Sequence, residues 1–146
     1  MKYKYIFHKK LILQSDIKSL KRLLSISKKI FKKFSKSNRC LYRYLICLDE
    51  IFSNCIFHGY KSCKGIIEIE YKIYGNWLIT DICDYGQGIS KELTGSLDFL
   101  KENNYNRIKD KIGYGLIITS YLADKVIIGR NLHGGTKVSL YFSIKN

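Results

Sequence analysis

The chain has 146 residues, enough for one domain with one core, and contains no run of about 18 apolar residues, so no membrane span is expected. Its amino-terminal apolar stretch is broken by His8, Lys9 and Lys10, which suits no signal peptide, and a cytoplasmic protein is expected. The formal charge of +14 is front-loaded: residues 1–36 hold eleven lysines and Arg22 against Asp16 alone, a surface able to meet nucleic acid, an anionic membrane or an acidic protein.

Residues 3–13 (YKYIFHKKLIL) favour a strand, broken or bulged at His8–Lys10. Ser15 or Asp16 then caps a helix. Within it Ile17, Leu20, Leu23, Leu24, Ile30, Phe31 and Phe34 recur at three- and four-residue steps, with the small Ser27 at the one gap. Lys18, Lys21, Arg22, Lys28, Lys29, Lys32 and Lys33 fill the other side, which places a basic face outward. After a turn at Ser35–Asn38, a second helix is expected from about Arg39 to His58, ending at Gly59 as a left-handed cap.

From Gly65 the period becomes two. IIEIEYKIY, a turn at Gly75-Asn76 and WLITDICD together predict a hairpin. Residues 90–112 are polar, with little apolar pattern beyond Leu97, Phe99 and Leu100, and are expected to be a mobile segment with one helical turn. IGYGLIITSYLAD then passes from glycine-rich loop to helix. KVIIG and GGTKVSLYFSI are strands paired through a turn around Asn131–Gly135. No repeat or linker divides the chain, so residues 1–146 are read as one domain.

The five cysteines form no C-x-x-C pair, and Cys40, Cys47 and Cys55 sit at helical spacings, as small buried hydrophobes do. The three histidines fall in no ligand spacing, and no protein-built zinc site is expected.

Glu50 and Asn54 stand four apart inside a mostly apolar helix, so carboxylate and amide share one face, and His58 extends the row. Alone, such a row reads as a solvated stripe. Three glycine-bearing stretches follow it in order: Asp84-Tyr85-Gly86-Gln87-Gly88-Ile89, Gly113-Tyr114-Gly115-Leu116 and Gly134-Gly135-Thr136. Any one of them alone reads as a turn.

Together, with a hairpin before the first stretch and a helix after the second, they resemble the N-box, the two G-boxes and the closing Gly-Thr of the GHKL ATPase superfamily. E-x-x-x-N-x-x-x-H-G-Y, beside an N-terminal strand and helix, is similar to the anti-sigma factor serine-protein kinases of the RsbW type. The resemblance spans about residues 4–143. It implies a Bergerat-type ATP-binding fold, a two-layer α/β sandwich whose mixed, mostly antiparallel sheet is covered on one face by three helices. Mg-ATP would then lie between the second helix and a lid at about 90–112.

On this resemblance Asp84 accepts a hydrogen bond from the N6 amino group of adenine, where guanine carries a carbonyl. Gly86 and Gly88 let the backbone approach the base, with Ile89 beside them, and Thr136 completes recognition through its hydroxyl and a water. Read structurally, Asp84 is a turn-opening residue and Thr136 an ordinary strand residue. Gly113, Tyr114, Gly115 and Leu116 form a loop and helix start whose amides suit a triphosphate, with Lys109 or Lys111 adding charge. Asn54 is implied as the protein ligand to Mg2+, and Glu50 as the base that takes a proton from an attacking hydroxyl or water. His58 is expected to support the site by hydrogen bonding. Cys55 departs from the pattern, where a small alanine is usual, and the lid has no landmarks.

The implied protein is a serine kinase that sequesters a sigma factor and phosphorylates a STAS-domain anti-anti-sigma factor, as a homodimer with no direct contact to DNA or membrane. Two alternatives stand beside it. A non-catalytic, ATP-gated sequestering protein would have no need of Glu50. A nucleic-acid or membrane binder built on the basic helix would leave Glu50, Asn54, Asp84 and the paired glycines unexplained.

Overall fold

The computed structural model describes residues 5–89, 94–96 and 115–145. Most of the expected lid, together with Lys109, Lys111, Gly113 and Tyr114, lies outside them. Strand β1 (Phe7–Gln14) leads into helices α1 (Ile17–Phe34) and α2 (Asn38–Asn54), then strands β2 (Ile66–Tyr74), β3 (Trp77–Asp84) and β4 (Gly95–Ser96). Helix α3 (residues 115–122) precedes β5 (Lys125–Arg130) and β6 (Thr136–Ser143). The six strands are ordered β1-β2-β3-β6-β5-β4, and every described pairing is antiparallel. β6 lies between β3 and β5, which sets the end of β3 at Asp84 beside the start of β6 at Thr136.

Alternation decides which sheet face is covered. Ile67, Ile69, Tyr71 and Ile73 of β2, Leu78 and Ile82 of β3, and Leu140 and Phe142 of β6 are all buried. Against them pack Leu23 and Phe31 of α1, Tyr44, Leu48 and Phe52 of α2, and Leu116 of α3. Phe31, Tyr44 and Phe142 form the centre, with ring centroids 5.4 and 5.2 Å apart. Each such side chain contributes about 1.5–3 kcal/mol of hydrophobic stabilisation. Ser27, the gap in the apolar pattern of α1, meets the Tyr71 hydroxyl at 2.6 Å, and Tyr44 meets Thr80 at 2.7 Å. A larger side chain at 27 would displace the buried tyrosine.

Asp16, rather than Ser15, is the N-cap of α1, accepting from the Ser19 amide at 2.7 Å. Ser37 caps α2 in the same way through the Cys40 amide. Two expectations are corrected. β1 is not broken at His8–Lys10; its register with β2 runs unbroken from Phe7↔Ile73 to Gln14↔Ile66. As an edge strand it carries charge without loss, and His8 pairs with Glu70 at 2.6 Å. Gly59 is not a left-handed cap either. Helix α2 widens into a π turn at Cys55–Gly59, closed by the Tyr60 amide on the Cys55 carbonyl, and the left-handed residues are Lys61 and Ser62.

The second sheet face carries no described helix. Ile12, Ile66, Tyr74 and Trp77 are exposed there. At its centre Asp81, 2% exposed, is held by Lys72 at 2.6 Å and Lys137 at 3.7 Å. Among the described residues no helix is long and apolar enough to cross a membrane.

Candidate functional site

Where α2 widens, its last turn stands over the ends of β3 and β6 and leaves a cleft of about 470 Å³. Asp84 forms the polar part of its floor. The side chain is buried, and its Oδ1 accepts from the amides of Gly86 at 3.0 Å and Thr136 at 3.2 Å. The carboxylate is thereby fixed in orientation from both the loop after β3 and the start of β6. Cys55 sits against it: burial first, then the Asp84 charge and hydrogen bond, push its thiol well above the ordinary range. Ile51, Ile82, Leu116, Ile128 and Val138 supply apolar wall.

Backbones meet closely around this carboxylate, and the glycines follow from that. A Cβ at Gly86 would overlap the Gly59 carbonyl, which also accepts from the Gln87 amide at 2.9 Å. A Cβ at Gly59 would lie 3.1 Å from Asp84 Oδ2. Gly135, at φ +85°, presses its Cα side on the Asp84 carbonyl. Tyr60 ties the same region: its hydroxyl donates to the Ile66 carbonyl and accepts from the Tyr85 amide at 2.7 Å.

Asn54 lines the cleft, and Glu50, one turn earlier on α2, joins it in facing Gly115, the first described residue of α3. Gly115 leaves the space that Glu50 fills, since a Cβ there would overlap Oε2 and stand 3.7 Å from the Asn54 amide nitrogen. A carboxylate and an amide thus converge on the first described turn of α3. Such a place suits an anion and a proton acceptor side by side.

Of the residues expected from sequence, Asn54, His58, Asp84, Ile89, Leu116 and Thr136 line one cleft, with Gly86 and Gly88 in the loop at its edge and Glu50 beside Gly115. Thr136 contributes its backbone amide to Asp84. His58 is exposed at the rim and makes no side-chain hydrogen bond with another described residue. Among the sequence motifs Gly59 and Tyr60 entered only in the H-G-Y wording, and Gly135 only in the closing Gly-Thr; none was given a part in the site. The H-G-Y wording after the helix was the available signal for the first two, but the contacts that use them cross between distant segments.

Fold and cleft define the class as an ATPase-like α/β domain. The chain belongs to the histidine kinase-like ATPase domain family, whose model matches residues 13–142. Two anti-sigma F factors, from Thermoanaerobacter sp. (strain X514) and Thermoanaerobacter pseudethanolicus (strain ATCC 33223 / 39E), are each 43% identical to it over 42 residues. That stretch is 29% of this chain and 29% of each relative. The crystal structure of the RsbU and RsbW domains of Rv1364c from Mycobacterium tuberculosis is similar over 96% of this chain and 33% of that one, with a TM-score of 0.67 and 15% identity. This last likeness is one of fold.

Proposed function

We propose that the chain is an ATP-dependent protein serine kinase and anti-sigma factor, which sequesters a sigma factor and phosphorylates a serine on a STAS-type antagonist. The observation that carries the reading is the placement of Glu50 and Asn54 on one face of α2 against Gly115, beside a cleft floored by Asp84. The residues fit ATP. A buried carboxylate with backbone donors on one oxygen can offer the other to an exocyclic amine, and Gly115, lacking a side chain, lets the Glu50 carboxylate close on the first described turn of α3.

In this reading Asp84 selects adenine, the Gly115 end of α3 holds phosphate, and Asn54 gives Mg2+ its one protein oxygen. Magnesium, when bound, neutralises charge on the phosphates. Glu50 accepts the proton of the serine hydroxyl as its oxygen bonds to phosphorus and ADP departs. The shared 42 residues with two anti-sigma F factors support a sigma factor as partner.

A second copy of the chain is the proposed occupant of the sheet face that carries no described helix. Exposed Ile12, Ile66, Tyr74 and Trp77 surround a mixed set of charges there, with Glu68, Glu70 and Asp81 interleaved with Lys10, Lys72 and Lys137. A surface carrying both signs in this way can complement itself across a two-fold axis.

The test is transfer of labelled γ-phosphate from ATP to a STAS-domain protein of the same cell, with phosphoserine identified in the product. Asn54→Ala should abolish the magnesium dependence of ATP binding. Labelled phosphate released only as inorganic phosphate, or none released, would refute the kinase assignment.

A further inference from the structure

The row that carries Glu50 and Asn54 continues towards the start of α2. Arg43, Cys47, Glu50 and Asn54 succeed one another at steps of four, three and four, a single stripe on the helix. Every member meets the segment 115–124. Glu50 and Asn54 adjoin Gly115, and the Cys47 thiol points to the Thr119 carbonyl at 3.9 Å. Arg43 donates from Nε and Nη2 to the Leu122 carbonyl at 2.8 and 2.5 Å, and Nη2 lies 3.7 Å from Asp124 Oδ1. Helix α3 therefore runs antiparallel along this stripe, its first described residue at the two site residues and its end at the guanidinium.

Leu122 is the last helical residue of α3, so its carbonyl is one of those the helix cannot satisfy internally. A cation there is favoured by the helix dipole, and a forked guanidinium fixes position as well as charge. Asp124, the other prong, accepts from the Ser143 amide at 2.7 Å, and the guanidinium carbon stands 6.0 Å over the Phe142 ring. Arg43 is thus joined both to the end of α3 and to the end of β6. Within α3 the Thr119 hydroxyl donates to the Gly115 carbonyl at 2.9 Å, which stiffens the single turn next to Glu50.

We infer that Arg43 is a positioning residue: by clamping the end of α3 it sets the axial placement of the Gly115 amide opposite Glu50 and Asn54, roughly 10 Å away along the helix. The inference rests on the proposed nucleotide reading and adds a residue that touches no nucleotide. Its consequence is selective. The phosphate end of the cleft depends on where α3 lies, whereas the base end is built from β3 and β6 through Asp84 and Thr136.

The experiment measures binding of ATP and of adenosine by calorimetry to the full chain and to Arg43→Met, which keeps an unbranched apolar stem and removes the donors. ATP affinity should fall five- to tenfold while adenosine affinity stays within twofold. A purely structural arginine would lower both together, and an irrelevant one neither; either result overturns the inference. Should Arg43→Met fail to fold, Arg43→Lys carries the test. A lysine ammonium keeps the charge but lacks the paired Nε and Nη2 donors that hold the Leu122 carbonyl, so a two- to threefold loss for ATP alone is expected, and parity with wild type overturns it. A wild-type chain that binds adenosine and ATP equally would overturn this inference and the phosphate assignment with it. Wild-type preference for ATP, unchanged in both variants, would overturn the inference alone.

Discussion

Replacing Asp84 by Asn changes one atom of the cleft floor and isolates its role. Oδ1 is held by the Gly86 and Thr136 amides at 3.0 and 3.2 Å, so the substituted amide keeps its carbonyl oxygen there and turns its NH2 to the position of Oδ2. A donor then stands where the N6 amine of adenine also brings a donor. Losing a hydrogen bond to a charged acceptor costs about 1.5–3 kcal/mol, and an unmet buried donor a further ~1–3 kcal/mol. If the base shifts to soften the clash, the total is about 3–4 kcal/mol, a loss of roughly 10²- to 10³-fold in ATP affinity. Guanine presents a carbonyl at the same place, so the ATP-to-GTP preference should invert. Competition calorimetry with both nucleotides reads this directly, and a melting curve verifies that the variant is folded. An unchanged ATP-to-GTP ratio in folded Asp84→Asn would refute the assignment of this carboxylate.

The exposed basic side of α1 suits an acidic protein partner. Reversing charge at Lys28, Lys29, Lys32 and Lys33 should slow association with a sigma factor by about tenfold or more at low salt and leave ATP affinity intact. Sub-micromolar DNA binding that falls steeply with salt would instead favour a nucleic-acid role. On the sheet face that carries no described helix, Trp77→Glu should shift the sedimenting species from dimer to monomer without loss of ATP binding; an unchanged dimer would place the interface elsewhere. Burial penalises the Lys72 ammonium, but the hydrogen bond and charge of Asp81 outweigh it and raise its pKa above the ordinary value. A raised folded pKa adds stability that is fully present below the ordinary lysine range and is lost as pH rises through the folded value. The melting temperature of Lys72→Met should therefore trail wild type by a constant margin up to about pH 10 and converge above it, and a margin constant to higher pH would contradict the pairing.

What was legible in the sequence was whatever repeats locally. The apolar steps of α1 and the two-residue alternation of β2 and β3 gave those elements to within a residue or two, because burial of one face imposes the period. Glu50 and Asn54 were legible as a pair because helix geometry alone sets them on one face. Gly59 was misread for the opposite reason. A glycine after a helix is commonly a left-handed cap, but here its size answers to Asp84 and Gly86, which reach it from β3 and the following loop. The apparent break in β1 was misread because His8 and Lys10 suggest a loop, whereas an edge strand tolerates them on its open face. Arg43 gave no local sign at all. Its partners Leu122 and Asp124 lie far along the chain, and only the packing of α3 on α2 brings them to it.

The proposed reading gives Glu50 the transfer of phosphate and not the binding of nucleotide. It is tested most directly by measuring both in Glu50→Ala, with Mg-ATP affinity from calorimetry and single-turnover transfer to a cognate STAS-domain serine. Affinity should stay within a few-fold of wild type while transfer slows by about 10²- to 10⁴-fold, the usual contribution of a general base. Transfer at the wild-type rate would contradict it.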